Sequence, residues 1–177
     1  DRIARTWREA GAWPPGKTLA VTAPGTLPPP SKRGDVFRQA ALKALDTLSR
    51  NPDGFFLMIE GSNIDKAAHS NNLEEMMEEL LDFDRTAGAV LDWASKHPGT
   101  LVVITADHNT GAFALTGGSR EKGEITARFG SGSHDGVAVP VYAFGAGSGA
   151  FTGIYENTAI FSKIMDAFKK GADKPVR

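Results

Sequence analysis

The chain has 177 residues, a formal net charge of -1 and no cysteine. The near-balanced charge gives no electrostatic reason to expect nucleic acid or a membrane surface as a partner, and the missing cysteine excludes disulfides and thiolate metal ligands. No run of about 18 apolar residues suggests a membrane-spanning helix, and the opening residues DRIARTWREA are too polar for a signal peptide.

The first part of the chain, residues 1–31, is predicted to hold three short features. A helix is expected over DRIARTWREAG and a strand in KTLAVTA, Lys17–Ala23. The proline-rich APGTLPPPS that follows cannot be helical. An amphipathic helix is then predicted from about Lys32 to Arg50, with one apolar side formed by Phe37, Ala41, Ala44, Leu45 and Leu48.

Two further helices are predicted. The first starts near Asn72, which has capping-box spacing to Glu75, and the sequence HPG ends it. Met76 and Met77 are expected to fill the core, and His97 at the end of this helix is expected to be structural. The last helix is expected to follow Asn157 as N-cap and to end at Gly171, with an apolar face of Ile160, Phe161, Ile164, Met165 and Phe168.

Short apolar runs alternate with these helices and predict strands. They are KTLAVTA, GFFLMI, TLVVITA and VAVPVYAF. Because the runs are continuous, we expect strands covered on both faces in an α/β fold, a three-layer αβα sandwich with a mostly parallel sheet. The glycine-rich stretch from Gly111 to Gly132 is predicted to be a loop or a weak hairpin.

Carboxylates and imidazoles follow two of the predicted strands: Glu60, Asp65 and His69 after GFFLMI, and Asp107 and His108 after TLVVITA. Loops at the carboxyl ends of parallel strands meet at one edge of a sheet, so these side chains are expected to converge. If the chain turns helical from Ile64, the spacing of four residues puts Asp65 and His69 on one helix face.

His134 lies in the small-residue loop GSGSHDG and precedes its strand. It can join the other residues only if VAVPVYAF runs antiparallel to its neighbours or if the loop crosses the sheet edge. Asp65, His69 and His134 then fit a zinc site with three protein ligands and an open position. Asp107 and His108 offer ligands for a second ion, and Glu60 suits a harder cation such as Mg²⁺.

Taken one at a time, these residues have ordinary interpretations. The pair Asp107 and His108 could be a turn with an N-cap aspartate, and Asp65 and His69 could be a helix-surface pair. Together they favour a metal site, because three of the four histidines lie at strand ends or in glycine-rich loops beside carboxylates.

The strings GFFLMIEGSNIDKAAH, TLVVITADHNTG and SGSHDGVAVPVYAFGAG closely resemble the C-terminal half of bacterial alkaline phosphatases. The resemblance runs from about Phe37 to Phe168 and includes GIYENTAIF before the last helix. It implies phosphate monoester hydrolysis through a phosphoserine intermediate. By position, Asp65, His69 and His134 would bind the first zinc, Asp107 and His108 the second zinc, and Glu60 the magnesium.

The resemblance also implies that parts of the family's active site lie outside this chain. The family's nucleophilic serine, further metal ligands and a phosphate-binding arginine precede this region, and nothing before Glu60 matches them. We therefore expect one C-terminal part of an alkaline phosphatase-like domain over residues 1–177, with the metal-site half at 32–177 and no catalytic nucleophile, inactive alone.

Several further expectations follow from the resemblance. Partners would be a phosphate monoester, the missing N-terminal half and a second copy in a homodimer, with no nucleic acid and no membrane. The location would be periplasmic or secreted. Alternatives are a phosphodiesterase or phosphomutase of the same superfamily, which share a two-metal core, and a noncatalytic zinc-binding module.

Overall fold

The structure is a computed structural model that describes residues 2–6, 8–9 and 18–172. The helices are α1 Pro30–Arg33, α2 Val36–Leu48, α3 Asn63–His69, α4 Leu73–Ser95 and α5 Ala159–Ala172, with a 3₁₀ turn at Ser148–Phe151. The strands are β1 Arg2–Ala4, β2 Thr18–Ala20, β3 Leu101–Thr105, β4 Asn109–Thr110, β5 Ala114–Ser119, β6 Glu124–Arg128, β7 His134–Asp135 and β8 Val141–Gly145. Helices and sheets are mixed along the chain, which confirms the α/β class.

The strand pairing differs from the predicted, mostly parallel sheet. Among the described residues β1 and β2 pair in parallel, whereas β3–β8, β4–β7 and β5–β6 are antiparallel pairs. The hairpin β5–β6 lies within the stretch for which a loop or weak hairpin was predicted. The antiparallel β3–β8 pair confirms the condition that the sequence set for His134.

One strand prediction was wrong. The segment GFFLMI forms no strand, because no described segment provides ladder hydrogen bonds beside it. Its burial alternates nonetheless: the half-buried Phe55 packs edge-on against Trp93 with ring centroids 6.2 Å apart, while Phe56 and Met58 are exposed. Only one face of this segment is covered, so the prediction of strands covered on both faces does not hold here.

The helix predictions hold with shifted ends. Asn72 accepts a hydrogen bond from the Glu75 N–H at 3.2 Å, which confirms the predicted cap of α4. The helix predicted from Lys32 is instead divided into α1 and α2, because Gly34 has a φ of 58° that helical geometry excludes. Helix α5 begins at Ala159, one residue later than a cap at Asn157 would place it.

The helix predicted at the very start is contradicted where the structure describes it. Residues 2–4 are strand β1, and helical geometry in this stretch is described only at residues 8 and 9. Residues 7 and 10–17, including Lys17 of the predicted strand, lie outside the described residues. In the part of the chain that is described, no helix is both long enough and apolar enough to cross a bilayer.

A small core holds α3 against α4. Ala67, Ala68 and Met76 are buried there, with partly buried side chains of Ile64, Leu73, Phe113 and Phe129 around them. Met76 is therefore core, as predicted, and Met77 is half-buried. Helix α2 also packs on α4, and its Ala41 and Leu45 are buried, which confirms the predicted apolar face of that helix.

A buried ion cluster fastens α1 to α4. The guanidinium of Arg33 donates to Glu79 at 2.7 and 2.9 Å and to Asp82 at 2.6 and 3.2 Å. The Arg33 side chain is 5% exposed and each carboxylate side chain 4%. Burial opposes the charged guanidinium, but the hydrogen bonds that Arg33 donates to Glu79 and Asp82 outweigh it and raise the Arg33 pKa above its usual value.

We expect Arg33→Met to destabilise the protein by about 3–5 kcal/mol, because it leaves two buried carboxylates without their partner. The measurement is the free energy of unfolding in urea. The matched control is Arg50→Met, which removes a pair with Asp46 whose side chains are 58% and 57% exposed, and it should cost less than about 1 kcal/mol. Equal losses in the two variants would contradict this account.

Candidate metal centre

Helix α3 supplies two of the predicted ligands. It starts at Asn63, so Asp65 and His69 lie four residues apart on one face. Asp65 Oδ2 and His69 Nε2 are 3.5 Å apart. The buried Ala67 and Ala68 between them turn inward and hold the helix on α4, which leaves the Asp65–His69 face towards β4 and β7.

His134 reaches these residues through β7. This strand pairs with β4 in the register Thr110 to His134 and Asn109 to Asp135. β7 runs antiparallel to β4. His134, which precedes β8 in sequence, therefore lies beside residues that follow β3. The sequence analysis required the strand after His134 to run antiparallel to its neighbours, and β8 does so against β3.

Asp65, His69 and His134 form one cluster. His69 Nε2 lies 3.0 Å from His134 Nε2, and Asp65 Oδ1 lies 3.6 Å from His134 Nε2. One ligand atom from each residue lies within 4.8 Å of the others. Asp65 is half-buried and both histidines are partly open to solvent, so an ion could enter without rearrangement of the core.

The orientation of His69 suits a metal ligand. Its Nδ1 lies 2.7 Å from the carbonyl oxygen of Gly132. A carbonyl only accepts, so Nδ1 carries a proton. In the neutral ring the lone pair is then on Nε2, the atom that faces Asp65 and His134. Histidines that bind metals are commonly held by such a bond from the other ring nitrogen. The donor set of one carboxylate oxygen and two imidazole nitrogens fits zinc.

Asp107 and His108 form a second group beside the first. His108 Nε2 lies 3.2 Å from Asp107 Oδ2, and the His108 ring stacks on His134 with centroids 3.6 Å apart and planes 24° apart. Glu60 is exposed, and no hydrogen bond or ion pair joins it to the other five predicted residues in the described part of the chain. The structure thus brings five of the six together.

Residues that the sequence analysis missed hold the cluster in place. Thr110 donates a 2.6 Å hydrogen bond to Asp65 Oδ1. Asp135 accepts from the Asn109 side chain and from the backbone N–H groups of Ala112 and Val137 at 2.9–3.1 Å. The bond from Val137, joined by those from Asn109 and Ala112, holds the Asp135 pKa below its usual value, so this carboxylate stays ionised. A threonine or an aspartate beside a strand end is too common for the sequence alone to single it out.

Gly111 makes the turn that leaves β4. Its φ is 81°, and a Cβ there would lie 2.8 Å from Cδ1 of Phe129 and 3.2 Å from the Ala68 carbonyl oxygen. Only glycine combines this backbone with so close a neighbour. The turn therefore sets the distance between β4 and the end of α3, where His69 lies.

His97, the fourth histidine, lies away from this centre. Its Nδ1 donates to the Trp93 carbonyl oxygen at 2.7 Å, and its ring stacks on Trp93 with centroids 3.7 Å apart. These contacts agree with the structural role that the sequence predicted.

A family model described as alkaline phosphatase matches residues 30–128. The alkaline phosphatase of Escherichia coli (strain K12) is 30% identical over 161 residues, covering 80% of this chain and 34% of that protein. The streptomycin-6-phosphate phosphatase of Streptomyces griseus is 35% identical over 131 residues, covering 64% of this chain and 29% of that protein. The chain thus spans about a third or less of these two relatives.

Solved structures agree with these matches. The alkaline phosphatase of the Antarctic bacterium TAB5 superimposes with a TM-score of 0.79 and 38% identity over 86% of this chain and 47% of that one. A variant of the TAB5 enzyme with magnesium bound in its M3 site gives a TM-score of 0.83 and 34% identity over 94% of this chain and 52% of that one. The chain therefore corresponds to about half of each solved structure.

We expect Gly111→Ala to destabilise the protein more than Gly123→Ala. Both glycines have positive φ, 81° and 66°, but a Cβ at Gly123 meets nothing within 4 Å. The control should show only the backbone cost of about 1 kcal/mol, and Gly111→Ala should add about 1–3 kcal/mol for the contact with Phe129. Thermal unfolding of the two variants measures the difference, and equal losses would show that the turn tolerates a side chain.

Proposed function

Because the chain belongs to the alkaline phosphatase family, we propose that it provides the metal-binding part of an enzyme that hydrolyses phosphate monoesters. The observation that carries the proposal is the cluster of Asp65, His69 and His134, whose ligand atoms lie within 4.8 Å of one another. The family match and the similarity to named phosphatases support the reaction class.

We assign the ligands in three groups. Asp65, His69 and His134 would bind the first zinc ion, Asp107 and His108 would contribute to a second zinc site, and Glu60 would bind magnesium. The stacking of His108 on His134 supports neighbouring zinc sites. The Glu60 assignment depends on its position in the sequence alone, three residues before α3.

When bound, zinc would keep an open coordination position and stabilise negative charge on an oxygen of the phosphate group. The residues of this chain contribute orientation. His69 is held by Gly132, Asp65 by Thr110, and His134 by the β4–β7 pair. Rigid ligands reduce the cost of ordering the site when substrate arrives.

The nucleophile would come from outside this chain. In the described residues no serine hydroxyl bonds to the five clustered side chains. The Ser131 hydroxyl bonds instead to the backbone N–H and carbonyl of Ser133. We propose that a serine-bearing segment, corresponding to the part of the relatives that this chain does not span, completes the site. The chain alone would bind metal without turnover, and the complete enzyme would work in the periplasm or outside the cell.

We expect His134→Ala to lose about 2–3 kcal/mol of zinc-binding free energy, because one of three protein ligands is removed. Elemental analysis after exhaustive dialysis measures zinc per chain. His97→Ala is the matched control, since the His97 side chain bonds to and stacks on Trp93 at the end of α4, away from the proposed ligands. It should retain the zinc of the unaltered chain.

The same pair of variants tests the reaction. Turnover of p-nitrophenyl phosphate is expected when the serine-bearing half of an alkaline phosphatase is added to the unaltered chain or to His97→Ala, and not with His134→Ala. A preference for bis(p-nitrophenyl) phosphate would favour the phosphodiesterase alternative. Zinc binding without turnover in any combination would favour a noncatalytic module, and no zinc at all would refute the site.

Exposed apolar side chains support association with a second copy or with that other half. They lie in the segment after Gly54, on β8 and on α5: Phe56, Met58, Tyr142, Phe144, Phe161, Met165 and Phe168. Large apolar side chains left open to solvent are commonly covered by a partner. We propose a homodimer for the chain in solution.

Light scattering over a concentration series should give a mass above that of one chain. Phe161→Lys, on the exposed apolar side of α5, should shift the mass towards the monomer because a charge at an interface must be desolvated. Lys170→Gln on the same helix is the control and should change nothing. A monodisperse monomer for the unaltered chain would count against the proposal.

A further inference from the structure

Thr110 lies between the two groups of proposed ligands. It is 7% exposed, and its Oγ1 is 2.6 Å from Asp65 Oδ1 and 3.2 Å from His108 Nδ1. Asp65 belongs to the first group and His108 to the second. Among the described residues Thr110 is the side chain that bonds to both groups, and it contributes no ligand atom of its own.

The direction of each bond follows from the number of protons. An ionised carboxylate only accepts, so the single hydroxyl proton of Thr110 is donated to Asp65. Towards His108 the same oxygen can only accept, and Nδ1 of His108 must then carry a proton. In the neutral ring the lone pair is consequently on Nε2, which lies 3.2 Å from Asp107 Oδ2.

We infer that Thr110 is a positioning residue for both metal groups. Its hydroxyl proton fixes the Asp65 carboxylate, and its oxygen lone pair accepts from Nδ1 and so fixes the tautomer of His108. The inference rests on the proposed function. Thr110 would orient the His108 ring through Nδ1, as the Gly132 carbonyl orients the His69 ring through Nδ1. It also joins the two groups, because one hydroxyl contacts a proposed ligand of each.

The arrangement at His108 agrees with this assignment. Nε2 lies 3.2 Å from Asp107 Oδ2, so the two candidate ligand atoms of the second group are neighbours. The bond from Nδ1 to Thr110 holds the ring in the orientation that presents Nε2 to Asp107.

Substitution separates the hydroxyl from the shape of the side chain. Thr110→Val keeps the volume and the β-branch that suit strand β4 but removes the hydroxyl, whereas Thr110→Ser keeps the hydroxyl. The matched control is Thr86→Val. Thr86 is 1% exposed and its hydroxyl donates to the Asp82 carbonyl oxygen at 2.9 Å, so the control removes a buried hydroxyl that touches no proposed ligand.

Two measurements on the full chain test the inference. Nitrogen-15 NMR of the zinc-free protein, at a pH where imidazole is neutral, reports the tautomer of His108 directly. Competition with a chromophoric chelator gives the zinc affinity. Thr110→Val should lose the preference for the Nδ1–H tautomer and bind zinc about 10–100-fold more weakly. Thr110→Ser should resemble the unaltered chain in both respects.

The controls decide between positioning and general stability. Thr86→Val should lower the unfolding temperature at least as much as Thr110→Val and leave zinc affinity and the His108 tautomer unchanged. If Thr110→Val also leaves both unchanged, the inference is wrong while the proposed function stands. If the unaltered chain binds no zinc, the inference and the proposed function both fall.

Discussion

The pairing of β4 with β7 is the constraint on which the rest of the site depends. It consists of two residue pairs, Asn109 with Asp135 and Thr110 with His134. Each pair does more than hydrogen-bond the backbone: Asn109 binds the Asp135 carboxylate, and Thr110 stands beside the histidine that meets Asp65. Without this register, α3 would carry an aspartate and a histidine with no third partner.

The antiparallel β3–β8 pair and the glycine turn after β4 both serve that register. β8 returns alongside β3, so the loop before it must pass the end of β3, where Asp107 and His108 lie. Gly111 then lets the chain turn within contact distance of Phe129 and the end of α3. A long-range arrangement of five side chains thus depends on local choices at a few backbone positions.

Much of this could be predicted from residues that act locally. The Asn72 cap, the four-residue spacing of Asp65 and His69, and the apolar face of α2 each depend on neighbours within one or two helical turns. The division of the helix predicted from Lys32 could not be predicted. The residue before Gly34, Arg33, forms ion pairs with two carboxylates on α4, which is distant in sequence. GFFLMI was expected to be a strand from its composition, but a strand also needs a partner, and periodicity does not supply one.

The site shows the same division between local and distant information. Ligand types and their order could be found from the sequence, as could the condition on His134. Thr110 could not, since a threonine after a strand end is an ordinary residue until Asp65 and His108 are seen on either side of it. Glu60 remains a prediction from sequence position, because its side chain is not drawn into the cluster.

The short contact between the two Nε2 atoms has a consequence for the shape of the site. The two nitrogens lie 3.0 Å apart although His69 belongs to α3 and His134 to β7, 65 residues later in the chain. Two nitrogen ligands of one tetrahedral zinc ion, each about 2.0–2.1 Å from it, lie about 3.3 Å from each other. The fold therefore holds the two imidazoles near the spacing that such an ion would require.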